Sequence, residues 1–160
     1  ATLAIAYAQK YPQRVKRMVL RSVFLGTEEE LKQAFITMPK KFYPDIFDYF
    51  IAPLSLYEQG DPLNSYYRRI LSSDRQISFI ASCLWHDYER ILSVIAPSQQ
   101  SINNFIKLSE STIKKYVPDR ELPKTPRLEA HYFSHKNFLC PDQLFSAVKN
   151  IAHIPIQIIQ

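Results

Sequence analysis

The chain has 160 residues, of which 46% are apolar and 13% aromatic, enough to bury the core of one domain and to exclude a disordered polypeptide. Only two glycines occur, so few positions can take left-handed backbone angles cheaply, which argues against a many-turned β sandwich and for a mostly helical domain. The net charge of +5 comes from 20 Lys and Arg against 15 Asp and Glu, and its basic pairs read as solvated helix faces, which argues against a nucleic-acid or membrane partner.

Residues 1–9 are alanine-rich, with Leu3, Ile5, Ala6 and Ala8 predicting a helix buried on most of its circumference, stopped by Tyr11-Pro12. The apolar run over 17–25 predicts a short strand packed on both faces. Thr27, with Glu30 three residues on, has the form of a capping box, so a helix is expected to begin there. Pro39, Pro44 and Pro53 are expected to break the stretch over 27–52 into short pieces. Helices are predicted over 64–71, 74–95 and 98–116. In the second of these, Ile77, Ile80, Ala81, Leu84, Tyr88, Ile91 and Leu92 recur at helical spacing. A proline-rich loop over 117–126 leads to helices over 127–133 and 141–150, and the chain closes on a strand over 154–159 that tolerates Pro155 at its start.

The residue types that usually carry chemistry are sparse. His86, His131, His135 and His153 offer one helical ligand spacing, His131 to His135, without a third ligand, and Cys83 and Cys140 match no metal site and read as reduced thiols. A glycine-rich phosphate loop and a G-x-S-x-G nucleophile elbow are both missing from these residues, so no cofactor, no metal and no catalytic residue is assigned. No apolar run spans a bilayer and no charged-then-apolar leader opens the chain, so a soluble, unprocessed cytoplasmic protein is expected.

The order of short motifs carries more. Residues 2–15 (TLAIAYAQKYPQRV) and 18–25 (MVLRSVFL), then Phe42-Tyr43-Pro44, the helix at Tyr67-Arg68-Arg69-Ile70-Leu71, Trp85 to Glu89, residues 127–133 (RLEAHYF) and His153-Ile154-Pro155 together resemble the prolyl aminopeptidase (proline iminopeptidase) family of α/β-hydrolases. The resemblance covers essentially the whole chain. It implies a mostly α fold: the helical cap (lid) domain of an α/β-hydrolase, over residues 27–150, flanked by a helix and strand of the core over 1–26 and by the start of the next core strand over 151–160. It also implies that the nucleophilic serine, in a G-G-S-W-G elbow, would fall before Ala1, and that the acid and histidine of the triad would follow residue 160. Since a Ser-His-Asp triad acts as a unit, this segment alone is expected to be inactive.

What the resemblance places within the chain is the substrate side. It maps recognition of a peptide's free N-terminal amino group onto Glu89 and Glu129, with Arg21 as their cationic neighbour and Phe24 in the apolar wall around a proline ring. Two carboxylates are tolerable side by side only when a cation offsets them, and an internal peptide nitrogen carries no charge to do so. Taken singly, Glu89 beside Arg90 and Glu129 near Arg127 read as solvated charges and Phe24 as core, whereas Arg21 inside an apolar run is unusual unless paired. The family's Trp-Tyr pair in the first cap helix is replaced here by Gln33 and Ala34, and a tryptophan before Glu89 by Tyr88. The expected partner is a peptide or small amide with a free N-terminal proline. Alternatives are a helical protein-interaction module or the cap of a hydrolase acting on other amides or esters. Exposed strand edges predict self-association.

Overall fold

The computed structural model describes residues 1–114 and 122–159. The end of the helix expected over 98–116, and the first half of the loop expected over 117–126, lie outside the described residues. The chain divides into two compact units, residues 1–30 with 136–160, and residues 31–135.

The first unit holds helix α1 (Thr2–Lys10), strand β1 (Met18–Arg21) and, from the far end of the sequence, strand β2 (Ile156–Ile159). The strands pair in parallel, Met18 opposite Ile156 and Arg21 opposite Ile159. Parallel neighbours need a long crossover, and here nearly the whole chain serves as one. Pro155 stands just ahead of β2, where its missing amide disturbs no ladder bond and its carbonyl accepts from Met18 N at 3.0 Å. Ile5 and Ala8 of α1, Leu20 of β1, and Leu144, Ile151 and Ile154 form the core. Gln9 is buried beside them because its Nε2 donates to the Leu144 carbonyl at 2.7 Å.

Several sequence expectations are corrected in this unit. Helix α1 buries a narrow stripe only, with Leu3 65% and Tyr7 47% exposed. Strand β1 is shorter than 17–25 because Ser22 takes a left-handed φ of 50°, and it buries one face, Leu20, while Val19 is 62% exposed. The helix expected over 141–150 is interrupted: Asp142 is left-handed (φ 55°), α10 covers only Gln143–Ser146, and a 3₁₀ turn follows at Val148–Ile151. Gly26 has φ +69°, and a Cβ there would collide with the side-chain amide of Asn137, which donates to the Gly26 carbonyl at 2.9 Å.

The second unit is a bundle of helices. The capping box forms as expected, Glu30 N donating to Thr27 Oγ1 at 3.1 Å and Thr27 N to Glu30 Oε2 at 3.2 Å, and it starts α2 (Glu28–Lys32). Pro39 does not break the chain here, contrary to expectation. The helix runs on through a π-helical turn (Gln33–Thr37) into α3 (Met38–Phe42), with Pro39 buried near its start. Pro39 has no amide to offer the carbonyl four residues back, Phe35, and the Tyr88 hydroxyl donates to that carbonyl at 2.7 Å. Pro44 does start a new helix, α4 (Pro44–Ile51), followed by α5 (Leu56–Gln59) and α6 (Pro62–Ile70).

Helix α7 (Arg75–Leu92), capped by Asp74, is buried well beyond the stripe its periodicity predicts, at Ser78, Phe79, Ser82, Cys83, Trp85 and Asp87 as well as Ala81, Leu84, Tyr88 and Ile91. It is the central helix of the bundle. Helices α8 (Gln99–Lys114) and α9 (Lys124–Ser134) pack against it, α9 beginning earlier than expected because Pro126 falls in its first turn, where no amide is required. Phe50 is sandwiched between Tyr66 (4.2 Å) and Tyr88 (3.8 Å), each ring within 6° of parallel. Arg69, read from sequence as part of a solvated basic pair, instead grips Glu58 through two hydrogen bonds of 2.8 and 2.7 Å and donates to the Pro53 carbonyl at 3.0 Å.

Candidate functional site

Helices α7 and α9 bring two of the four site residues together. Trp85 and Glu89 are one turn apart on α7 and so share a face, and Glu129 projects from the middle of α9. Trp85 is fully buried, its indole stacked on Phe35 (4.8 Å) and tilted against Phe50, Tyr66 and Tyr67 (6.1, 5.9 and 5.6 Å). So tightly packed a ring leaves its one polar atom a fixed direction, and that N–H donates to Glu129 Oε2 at 2.9 Å.

The half-buried Glu129 carboxyl is held at about 7, far above the usual carboxylate range. Burial is the largest cause. The Trp85 N–H opposes it by favouring the ionised form, whereas the charge and hydrogen bonding of Glu89 push the same way as burial. A half-buried carboxyl beside a second one favours its neutral form unless a cation joins them, so Glu129 can accept either a proton or a compact positive group. The Tyr67 hydroxyl, also buried, meets no hydrogen-bond partner among the described residues; burial and then the charges of Asp61 and Glu129 push its ionisation up.

Arg21 and Phe24 belong to the strand-bearing unit and are described there. Arg21 closes β1 and is exposed, because alternation along the strand turns Leu20 inward and its neighbour outward. Phe24 is half-buried, and its carbonyl accepts from the Thr2 hydroxyl. Gln33 and Ala34 lie exposed on the π turn, and the next residue, Phe35, is the one that turns inward onto Trp85. Sequence reasoning included Trp85 only as part of a motif. Its i, i+4 relation to Glu89 was the available sign that indole and carboxylate meet the same neighbour.

No family model matches the chain. Among curated proteins, it is 31% identical over 163 aligned residues to the probable proline iminopeptidase of Leptolyngbya boryana, an alignment covering 100% of the chain and 47% of that protein. It is 29% identical over 162 residues to the proline iminopeptidase of Arabidopsis thaliana, covering 100% of the chain and 40% of the relative. The proline iminopeptidase of Xylella fastidiosa strain Temecula1 is 31% identical over 156 residues, 97% of the chain and 46% of the relative. The chain thus spans less than half the length of these relatives.

Proposed function

Because the chain belongs over its whole length to the proline iminopeptidase family, we propose that it supplies substrate recognition in a cytoplasmic serine aminopeptidase that releases proline from peptide N-termini. Glu89 and Glu129 receive the substrate's ammonium group, and the segment by itself does not hydrolyse. The observation that supports this reading is the pairing of Glu89 with a half-buried Glu129 whose proton affinity is raised to about 7. Such a pair gains most from a ligand that brings its own positive charge, and an N-acylated peptide brings none. For Arg21 and Phe24, a part in substrate binding rests on family resemblance alone.

The test is release of proline from a fluorogenic prolyl amide, comparing this chain with a version lengthened at both ends to the extent of its relatives. Activity confined to the longer form, lost on Glu129→Gln and absent towards N-acetylprolyl amide, is the expected result. Equal turnover of the acetylated substrate would remove the ammonium role, and turnover by the 160-residue chain itself would overturn the division of labour.

A further inference from the structure

Glu129 has two carboxyl oxygens, and the structure engages one of them with a donor that cannot move. The indole of Trp85 is 0% exposed, stacked on Phe35 and bounded by Phe50, Tyr66 and Tyr67, so the 2.9 Å bond from its N–H offers Oε2 a donor whose own place is set by packing. Trp85 also lies one helical turn from Glu89, which places donor and second carboxylate on the same side of α7. We propose that Trp85 is a positioning residue, whose indole N–H holds Oε2 of Glu129 so that Oε1 is left to face Glu89 and, with it, a single ammonium group.

The ammonium part of this role rests on the recognition reading above; the holding of Oε2 does not. A charged carboxylate that rotates freely would spread its two oxygens over several orientations and give up part of its attraction for a fixed cation, which is the entropy a preset hydrogen bond removes. The bond also offsets some of the burial and of the Glu89 repulsion. Among the described residues, the groups that act on Glu129 are Trp85 and Glu89 from α7 and Tyr67 from α6, and of these Trp85 is the one that favours the ionised form.

The direct test is ¹³C NMR titration of the carboxyls in glutamate-labelled chain, comparing wild type with Trp85→Phe and with benzothienylalanine at position 85, which keeps the two-ring shape and replaces N–H by sulfur. Both replacements are expected to raise the Glu129 midpoint by about one pH unit, the equivalent of one hydrogen bond to a charged group. A midpoint unmoved in the folded benzothienyl variant would overturn the proposal, since a merely structural indole would leave it so. Addition of prolinamide forms a separate arm. It should lower the wild-type midpoint and do so several-fold less tightly in the variants. If prolinamide leaves the wild type unchanged while the variants still shift Glu129, the recognition reading fails and the positioning by Trp85 stands.

Discussion

The hydroxyl of Tyr88 donates to the backbone carbonyl of Phe35 at 2.7 Å, at the point where Pro39 deprives that carbonyl of its helical amide. One residue of α7 thereby makes good a bond that the first helix of the bundle lacks. The Tyr66 hydroxyl does the same for the Phe50 carbonyl at the end of α4, at 2.6 Å. The Tyr67 hydroxyl, equally buried, has no such partner among the described residues. Replacement by phenylalanine should therefore rank the three: Tyr88→Phe and Tyr66→Phe each lower stability by about 1–3 kcal/mol, leaving a buried carbonyl unmet, while Tyr67→Phe is neutral or stabilising. Urea denaturation of the three variants checks the order. A loss at Tyr67 as large as at Tyr88 would mean that its hydroxyl is engaged after all.

Glu129 gives the fold a pH dependence of known sign. Its proton affinity in the folded chain, about 7, exceeds the ordinary value of 4.5, so the fold favours the protonated form. The stabilisation is complete below about pH 4.5 and is lost as pH rises through 7. After allowance for solvent around a half-buried group, the loss is on the order of 1–2 kcal/mol. Denaturation midpoints of wild type should fall from pH 5 to pH 8, and those of Glu129→Gln should fall less. Parallel profiles would show that Glu129 is not the titrating group.

Glu58 carries the opposite sign. Arg69 holds its carboxyl down at about 2, with the Ser55 amide and hydroxyl helping and burial opposing. The pair contributes above about pH 4.5, and its contribution disappears as pH falls towards 2. Glu58→Gln should thus be less stable than wild type at neutral pH and converge with it in acid. Because the carboxylate also closes the Ser55 capping box, the neutral-pH difference should exceed that of an ordinary surface pair. A difference that persists at pH 2 would assign the loss to the cap alone.

Strand pairing leaves apolar side chains uncovered within the first unit: Val19 is 62%, Ile158 60% and Ile159 51% exposed. Self-association is expected through this surface, and Val19→Lys or Ile158→Lys should weaken it. Sedimentation over a range of concentrations measures this. A monomer throughout, with no effect of either lysine, would contradict it.

Much of the architecture was legible because local signals agreed with one another. A helical apolar stripe over 74–95 marks α7, and Thr27 with Glu30 marks the start of α2. What the sequence hid were features decided by a distant residue. Pro39 reads locally as a breaker, and the Tyr88 hydroxyl and a π turn carry the helix through it. Arg69 reads as solvated until Glu58, eleven positions earlier, is seen within its reach. For the site, the family motif pointed to Glu89 and Glu129, and the spacing of Trp85 from Glu89 hinted at a shared neighbour, but the bond from the indole to Glu129 shows only once α7 and α9 are side by side. That Arg21 lies on the exposed side of β1 was not legible, because a run of apolar letters does not reveal which face of a strand is covered.

The parallel register of Met18 with Ile156 sets an order of events for folding. Closing a loop of about 140 residues carries a larger entropic penalty than any pairing inside the helical bundle, whose contacts are mostly between near neighbours in sequence. The bundle is therefore expected to form first and, once formed, to shorten the effective distance between the two strands. In pulse-labelling hydrogen exchange, amides of α7 should gain protection before those of Met18 to Arg21. During synthesis Met18 to Arg21 can meet Ile156 to Ile159 only after the whole bundle between them has emerged.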